Sequence, residues 1–225
     1  MPCSTIAIAF WNSCCCSVGR VATCCWIISI VISISSSSST SKGIPVVNLI
    51  SAEKQEKVKV IISIDAYDEE HQLTFITKQG IVKRVALDQF ESVRQNGKIA
   101  IELRDEDELI DVKLTDGNAE ILIAANNGKL ARFNESDVRS MGRTATGVKG
   151  IEMDEGVYVV GAATNQEGDY VLTISENGYG KMTLIPEYRL TQRGSKGVGT
   201  MNTTDKVGMV SAMKVVNGEE DLLIT

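Results

Sequence analysis

The chain has 225 residues, 43% hydrophobic and 23% charged, a balance that suits a soluble globular protein of one β domain or two small ones. Aromatic residues make up only 5%, which weakens any reading built on stacked bases or sugar-binding platforms, and one histidine with all six cysteines before residue 26 excludes a His/Cys zinc site and a disulfide framework from the remainder. Arg20 is the one charged residue before residue 42, so the net charge of −6 becomes −7 beyond it, which argues against a nucleic-acid partner unless the charges are segregated.

Residues 1–41 differ in composition from everything after them. The apolar run 21–34 is shorter than the roughly 20 residues a spanning helix needs, and its Ile, Val and Ser favour strands over helices. Arg20, this run and the serines behind it form a crude signal-peptide pattern displaced too far along the chain. The cysteines Cys3, Cys14, Cys15, Cys16, Cys24 and Cys25 could point to metal or acylation. The plainer expectation is an unnatural or mistranslated leader, disordered or artefactual, joined through a flexible Ser-rich linker at 35–41. The absence of cysteine after Cys25 fits a cytoplasmic protein.

From residue 42 onward the chain repeats. Segments 73–80, 121–128 and 171–178 each read as an apolar β-type run, two polar residues and a glycine. The dipeptides Gln79-Gly80, Asn127-Gly128 and Asn177-Gly178 are hairpin signals. A second short strand is expected after each, over 81–85, 129–133 and 179–184. An apolar anchor follows (Phe90, Val138, Tyr188), then a further glycine (Gly97, Gly147, Gly197). Gly43 with 44–50 reads as the tail of an earlier copy, and 222–225 as the first strand of a later one. A period near 50 with about four short strands per unit is the signature of propeller blades. The expected fold is therefore all-β, an incomplete propeller with three full blades and two partial ones over 42–225.

Charge is phased with this period. Lys78, Lys83, Arg84, Arg94 and Lys98 fall in the first unit, Lys129, Arg132, Arg139, Arg143 and Lys149 in the second, and Lys181, Arg189, Arg193 and Lys196 in the third. Acidic turns alternate with them, the densest at 102–111. Equivalent positions of stacked repeats fall on equivalent faces, so the basic segments are expected to form a band along one rim, suited to a phosphate backbone rather than to base reading. The corners 142–150 and 192–197 combine glycines with Arg and Lys, which lets a phosphate approach the backbone closely. The first of them misses the P-loop pattern, because no Lys-Ser/Thr pair opens a helix, and nucleotide binding is rejected.

The stretches Ile76-Thr77-Lys78-Gln79-Gly80-Ile81-Val82-Lys83-Arg84, Asp107-Glu108-Leu109-Ile110-Asp111-Val112, Asp137-Val138-Arg139-Ser140-Met141-Gly142-Arg143-Thr144-Ala145 and Glu176-Asn177-Gly178-Tyr179-Gly180-Lys181 resemble the C-terminal domain of DNA gyrase A. The resemblance covers residues 42–225 and none of the leader. It implies a β-pinwheel, a propeller variant in which neighbouring blades exchange strands. It also implies double-stranded DNA wrapped on the basic rim of an ATP-dependent type IIA topoisomerase, giving strand passage its sign and so negative supercoils. Partners in the intact enzyme would be gyrase B and a second gyrase A. The family's gyrase box, a first-blade motif of Gln, basic residues and glycines, is represented only by the shorter Gln192-Arg193-Gly194-Ser195-Lys196-Gly197 in a later blade.

Read on residues alone, the DNA contacts expected are Lys83, Arg84, Arg94, Lys98, Lys129, Arg132, Arg139, Arg143, Lys149, Lys181, Arg189, Arg193 and Lys196. No catalytic residue, metal ligand, cofactor or small-molecule substrate is expected, because no nucleophile, base and orienting group cluster in the sequence. The alternative is a protein-interaction propeller whose acidic turns carry the function. His71 is expected as an exposed loop residue, and Glu106 and Asp107 as part of a solvated turn.

Overall fold

A computed structural model of the chain describes residues 6–14, 23–31, 57–64, 67–91 and 98–220. The segments QLTFIT, EILIAA and YVLTIS are nearly unbroken in apolar and threonine side chains, a pattern that requires cover on both faces. They form strands β4 (Gln72–Thr77), β8 (Glu120–Ala125) and β12 (Tyr170–Ser175). Each turns back into a partner, β5 (Ile81–Ala86), β9 (Lys129–Asn134) and β13 (Gly180–Leu184).

The three turns are the same object. The backbone N–H of Gly80, Gly128 and Gly178 donates to Thr77, Ala125 and Ser175 at 3.0–3.1 Å. The glycines hold φ of +75°, +77° and +80°, a region that costs any other residue strain. At Gly128 space is also forbidden, since a Cβ would stand 2.1 Å from the Met201 carbonyl oxygen.

The remaining strands exchange between units. They are β3 (Lys57–Ile64), β6 (Lys98–Glu102), β7 (Leu109–Thr115), β10 (Val148–Lys149), β11 (Val159–Thr164), β14 (Val198–Gly199) and β15 (Val210–Val216). The first two of these hairpins each take one strand from the following unit on one side and a two-residue strand from further along on the other, giving the orders β10-β5-β4-β7 and β11-β8-β9-β14. All the pairings are antiparallel. Strands β3, β7, β11 and β15 face one another in succession and mark the inner side, so β10 and β14 mark the outer edge. The third sheet, β13-β12-β15, has no outer strand among the described residues, and β13 is exposed along nearly its whole length.

The core is divided between the sheets rather than gathered at one centre. Leu73, Phe75, Val85, Phe90 and Ile101 form one buried cluster. Ile76, Ile121, Ile123, Phe133 and Val138 form the next, and Leu122, Leu130, Val171, Ile185 and Tyr188 the third. The anchors expected from sequence, Phe90, Val138 and Tyr188, are all buried, Phe90 at the end of a 3-10 turn and the other two directly after one.

The all-β propeller architecture with exchanged strands holds. What the sequence reading did not anticipate lies before residue 42. Residues 6–14 and 23–31 form strands β1 (Ile6–Cys14) and β2 (Thr23–Val31), paired over their full length. They stand between β3 and β6 in the order β3-β1-β2-β6, the place that β4 and β5 hold between β7 and β10. The strand-forming composition of 21–34 explains why this segment can do so. The linker 35–41, the earlier tail at 43–50 and the later strand at 222–225 lie outside the described residues.

Candidate nucleic-acid interface

Two glycine corners, 142–150 and 192–200, end in the outer strands β10 and β14. They lie side by side. Ile151 pairs with Ser195 in a parallel bridge. The N–H of Gly194 donates to the Gly150 carbonyl at 2.6 Å, and the N–H of Glu152 to the Ser195 carbonyl at 2.9 Å. Arg193 ties them further, Nε donating to the Asp137 carbonyl at 2.9 Å and Nη1 to the Lys149 carbonyl at 3.4 Å. Gly147 and Gly197 let the corners press against the preceding hairpins, since a Cβ there would meet the Val82 or Leu130 carbonyl oxygen at 2.8 or 2.7 Å.

Five of the expected cations are exposed on these corners or three residues before them: Arg139, Lys149, Arg189, Arg193 and Lys196. Arg139 and Arg189 hold equivalent positions in successive units, as do Arg143 and Arg193. Arg143 and Lys129 are half-buried. Lys181 is exposed, but its ammonium already donates to the Thr200 carbonyl at 3.0 Å. Arg94 and the side chain of Lys98 lie outside the described residues.

Three of the expected contacts face inward, and the physical reason is the same for each. Lys83 is fully buried, and its Nζ donates to the carbonyls of Ala100, at 2.7 Å, and Arg143. Arg84 places Nη1 3.2 Å from Glu135 Oε1, without hydrogen-bond alignment, and is 14% exposed. Arg132 donates from Nε to Glu120 at 2.7 Å and from Nη1 to the carbonyls of Ile185 and Tyr188 at 3.0 and 2.7 Å. Glu135 and Ile185 belong to the 3-10 turns of the next unit, so both arginines clamp adjacent blades. Lys83 is fully covered and the Arg84 and Arg132 side chains are mostly enclosed, so these three leave the set of candidate phosphate contacts.

A signal for one of them, Lys83, was present in the sequence. Aligned on the hairpin glycines, Lys83 corresponds to Ala131 and Lys181, and the alanine in Leu130-Ala131-Arg132-Phe133 marks a position that can be enclosed, although Lys181 there is exposed. Glu135 was missed as a buried group. It is fully covered and accepts from Thr115 Oγ1 at 2.6 Å and from the N–H groups of Gly117 and Ala119 at 3.1 and 3.2 Å, so its burial is hydrogen-bonded as a charge requires.

The acidic turn is also less solvated than its composition implies. Asp107 is 2% exposed, and its Oδ1 accepts from the N–H of Gln79 and of Glu108, both at 2.9 Å. Glu106 beside it adopts φ +59°. His71 is half-buried, with Nδ1 2.8 Å from Asp68, whose pKa is lowered chiefly by the His71 backbone N–H. On the inner side, Lys113 lies 3.2 Å from Asp111 and 2.9 Å from Glu167. Burial opposes the Lys113 charge, but the two carboxylates hold its pKa above the ordinary lysine value. Burial raises that of Asp111.

A family model described as the DNA gyrase C-terminal domain, beta-propeller, matches residues 71–116, 119–165 and 169–217, each match running from the first strand of a hairpin to the inner strand of the next unit. The DNA gyrase A polypeptide of Ureaplasma parvum serovar 3 is 51% identical over 187 residues, which cover 83% of this chain and 22% of that relative. The chain thus spans about a fifth of the length of the curated relatives it matches. Among solved structures, the C-terminal domain of DNA topoisomerase IV superposes with a TM-score of 0.80 at 24% identity, over 95% of this chain and 64% of the other. The DNA gyrase A C-terminal domain gives 0.74 at 22%, over 96% and 67%.

Proposed function

The chain belongs to the DNA gyrase C-terminal β-propeller family, and from that premise we propose that residues 42–225 are a non-catalytic domain that binds and wraps double-stranded DNA along its outer edge. The observation that carries this reading is the adjacency of consecutive basic corners, tied by the Ile151–Ser195 bridge and the Gly194–Gly150 hydrogen bond. On this reading Arg139, Lys149, Arg189, Arg193 and Lys196 line one edge, with Lys129, Arg143 and Lys181 behind them. Positive charge in that arrangement meets the phosphate backbone and releases its counterions. It reads no base, so the domain positions DNA without choosing a sequence.

The enzyme to which this domain contributes is an ATP-dependent type IIA topoisomerase of the cytoplasm, with gyrase B and a second gyrase A as partners. Wrapping there would give strand passage its sign. The leader, residues 1–41, stands apart from that function. The competing reading, a protein partner on the acidic turns, loses ground because Asp107 is spent on backbone N–H groups within its own fold.

The test is retention of linear duplex DNA by the full chain between 50 and 200 mM salt. With about five phosphates neutralised, the affinity is expected to fall by about 10²–10³-fold over that range. An affinity flat in salt, or no retention at the low end, overturns the proposal.

A further inference from the structure

We infer that Lys83 is a positioning residue, a buried pin that holds the basic corner beginning at Arg143 against strand β6 of the preceding unit; the inference rests on the DNA reading above only for its consequence. Lys83 is fully buried in β5, and its one ammonium reaches two units at once, donating to the carbonyl of Ala100 in β6 and to that of Arg143 on the corner of the next unit. Arg143 in turn begins the run to Lys149, whose neighbour Gly150 donates to the Gly80 carbonyl at 2.8 Å. A charge buried in this way must be satisfied where it sits, so the carbonyls of 100 and 143 cannot drift apart without stranding it.

The repeat supplies an internal comparison. In the third hairpin Lys181 occupies the equivalent place and donates to Thr200, the position 100 residues on from Ala100. In the second hairpin the place is taken by Ala131, which cannot reach a corner. There the corner is held from outside instead, by Arg193 on the carbonyls of Asp137 and Lys149. Where the lysine is lost, a different cation takes a neighbouring carbonyl of the corner, that of Lys149. Pinning these corners is therefore a recurring need of the rim.

The experiment compares Lys83→Met and Lys181→Met with the unaltered full chain. In Lys83→Met, the amides of Met141 and Ala145 should exchange with solvent about tenfold faster, while those of β8 and β9 are unchanged. In Lys181→Met the amide of Thr200 should respond in the same way. At matched folded fraction, Lys83→Met should also lower the slope of log affinity against log salt by about 1–2, although Lys83 itself cannot touch DNA. Unchanged exchange at both corners overturns the pin. If Lys83→Met does not fold, Lys181→Met, on an exposed strand, decides alone. If the unaltered chain retains no DNA, the rim reading fails while the exchange data still judge the pin.

Discussion

Replacing Arg132 with alanine should unfold the domain more readily without acting on DNA directly. The guanidinium is 15% exposed and its partner Glu120 19%, with Nη2 2.6 Å from the carboxylate. Two further bonds run to the carbonyls of Ile185 and Tyr188 in the next blade. Truncation strands a mostly covered carboxylate and two carbonyls. Breaking a buried pair costs about 3–5 kcal/mol, and the residual exposure puts Arg132→Ala near the lower end, about 3 kcal/mol. For a domain of this size that corresponds to a loss of roughly 6–12 °C in Tm. Glu120→Gln should cost less, about 1–2 kcal/mol, because the arginine keeps its two carbonyls. Urea unfolding of both variants and of the double variant measures the coupling. If Arg132→Ala changes stability by less than about 0.5 kcal/mol yet weakens DNA retention by a folded protein, the clamp between blades is refuted and Arg132 is a phosphate contact after all.

Neutralising Arg139, Lys149, Arg189 and Lys196 together should leave the unfolding midpoint nearly unchanged and lower the salt slope of DNA binding by about 3–4, whereas neutralising Glu102, Asp105 and Glu106 should not lower it. Glu135→Ala should cost about 3–5 kcal/mol by urea titration, since Thr115, Gly117 and Ala119 lose their acceptor and Arg84 its counter-charge. Gly128→Ala, which would drive a Cβ into the Met201 carbonyl, should destabilise far more than Gly117→Ala, whose Cβ meets nothing within 4 Å; equal unfolding midpoints would contradict this. The raised pKa of Lys113 makes its ion pairs contribute fully below the unfolded-lysine pKa of about 10.4 and fade as the pH climbs through the folded value. The advantage of the unaltered chain over Glu167→Gln in urea should therefore be constant to about pH 10 and vanish at higher pH.

The hairpins were legible because their determinants are local. Gly80, Gly128 and Gly178 each close a turn within four residues, and the apolar run before each can be seen in one line of sequence. The exchanged strands were not legible in detail, because β10 and β14 are two residues long and pair with hairpins far behind them. Nothing in Val148-Lys149 alone distinguishes a strand from a loop. The cationic site was legible only in outline for a related reason. Charge phasing places arginines on a unit, but whether they face water depends on groups such as Glu135, 51 residues beyond Arg84. The exposed Arg139 and Arg189 and the enclosed Arg84 and Arg132 all carry the same formal charge and the same period.

Strands β3 and β6 each pair in their sheet only with a leader strand among the described residues. A shortened chain beginning at residue 42 would leave one backbone ladder bare on each of them, facing across an empty slot two strands wide. Unpaired N–H and C=O rows of that kind recruit strands from other molecules. Trimming the segment that looks most dispensable should therefore make the shortened chain self-associate more than the full one, and light scattering of the two would register it.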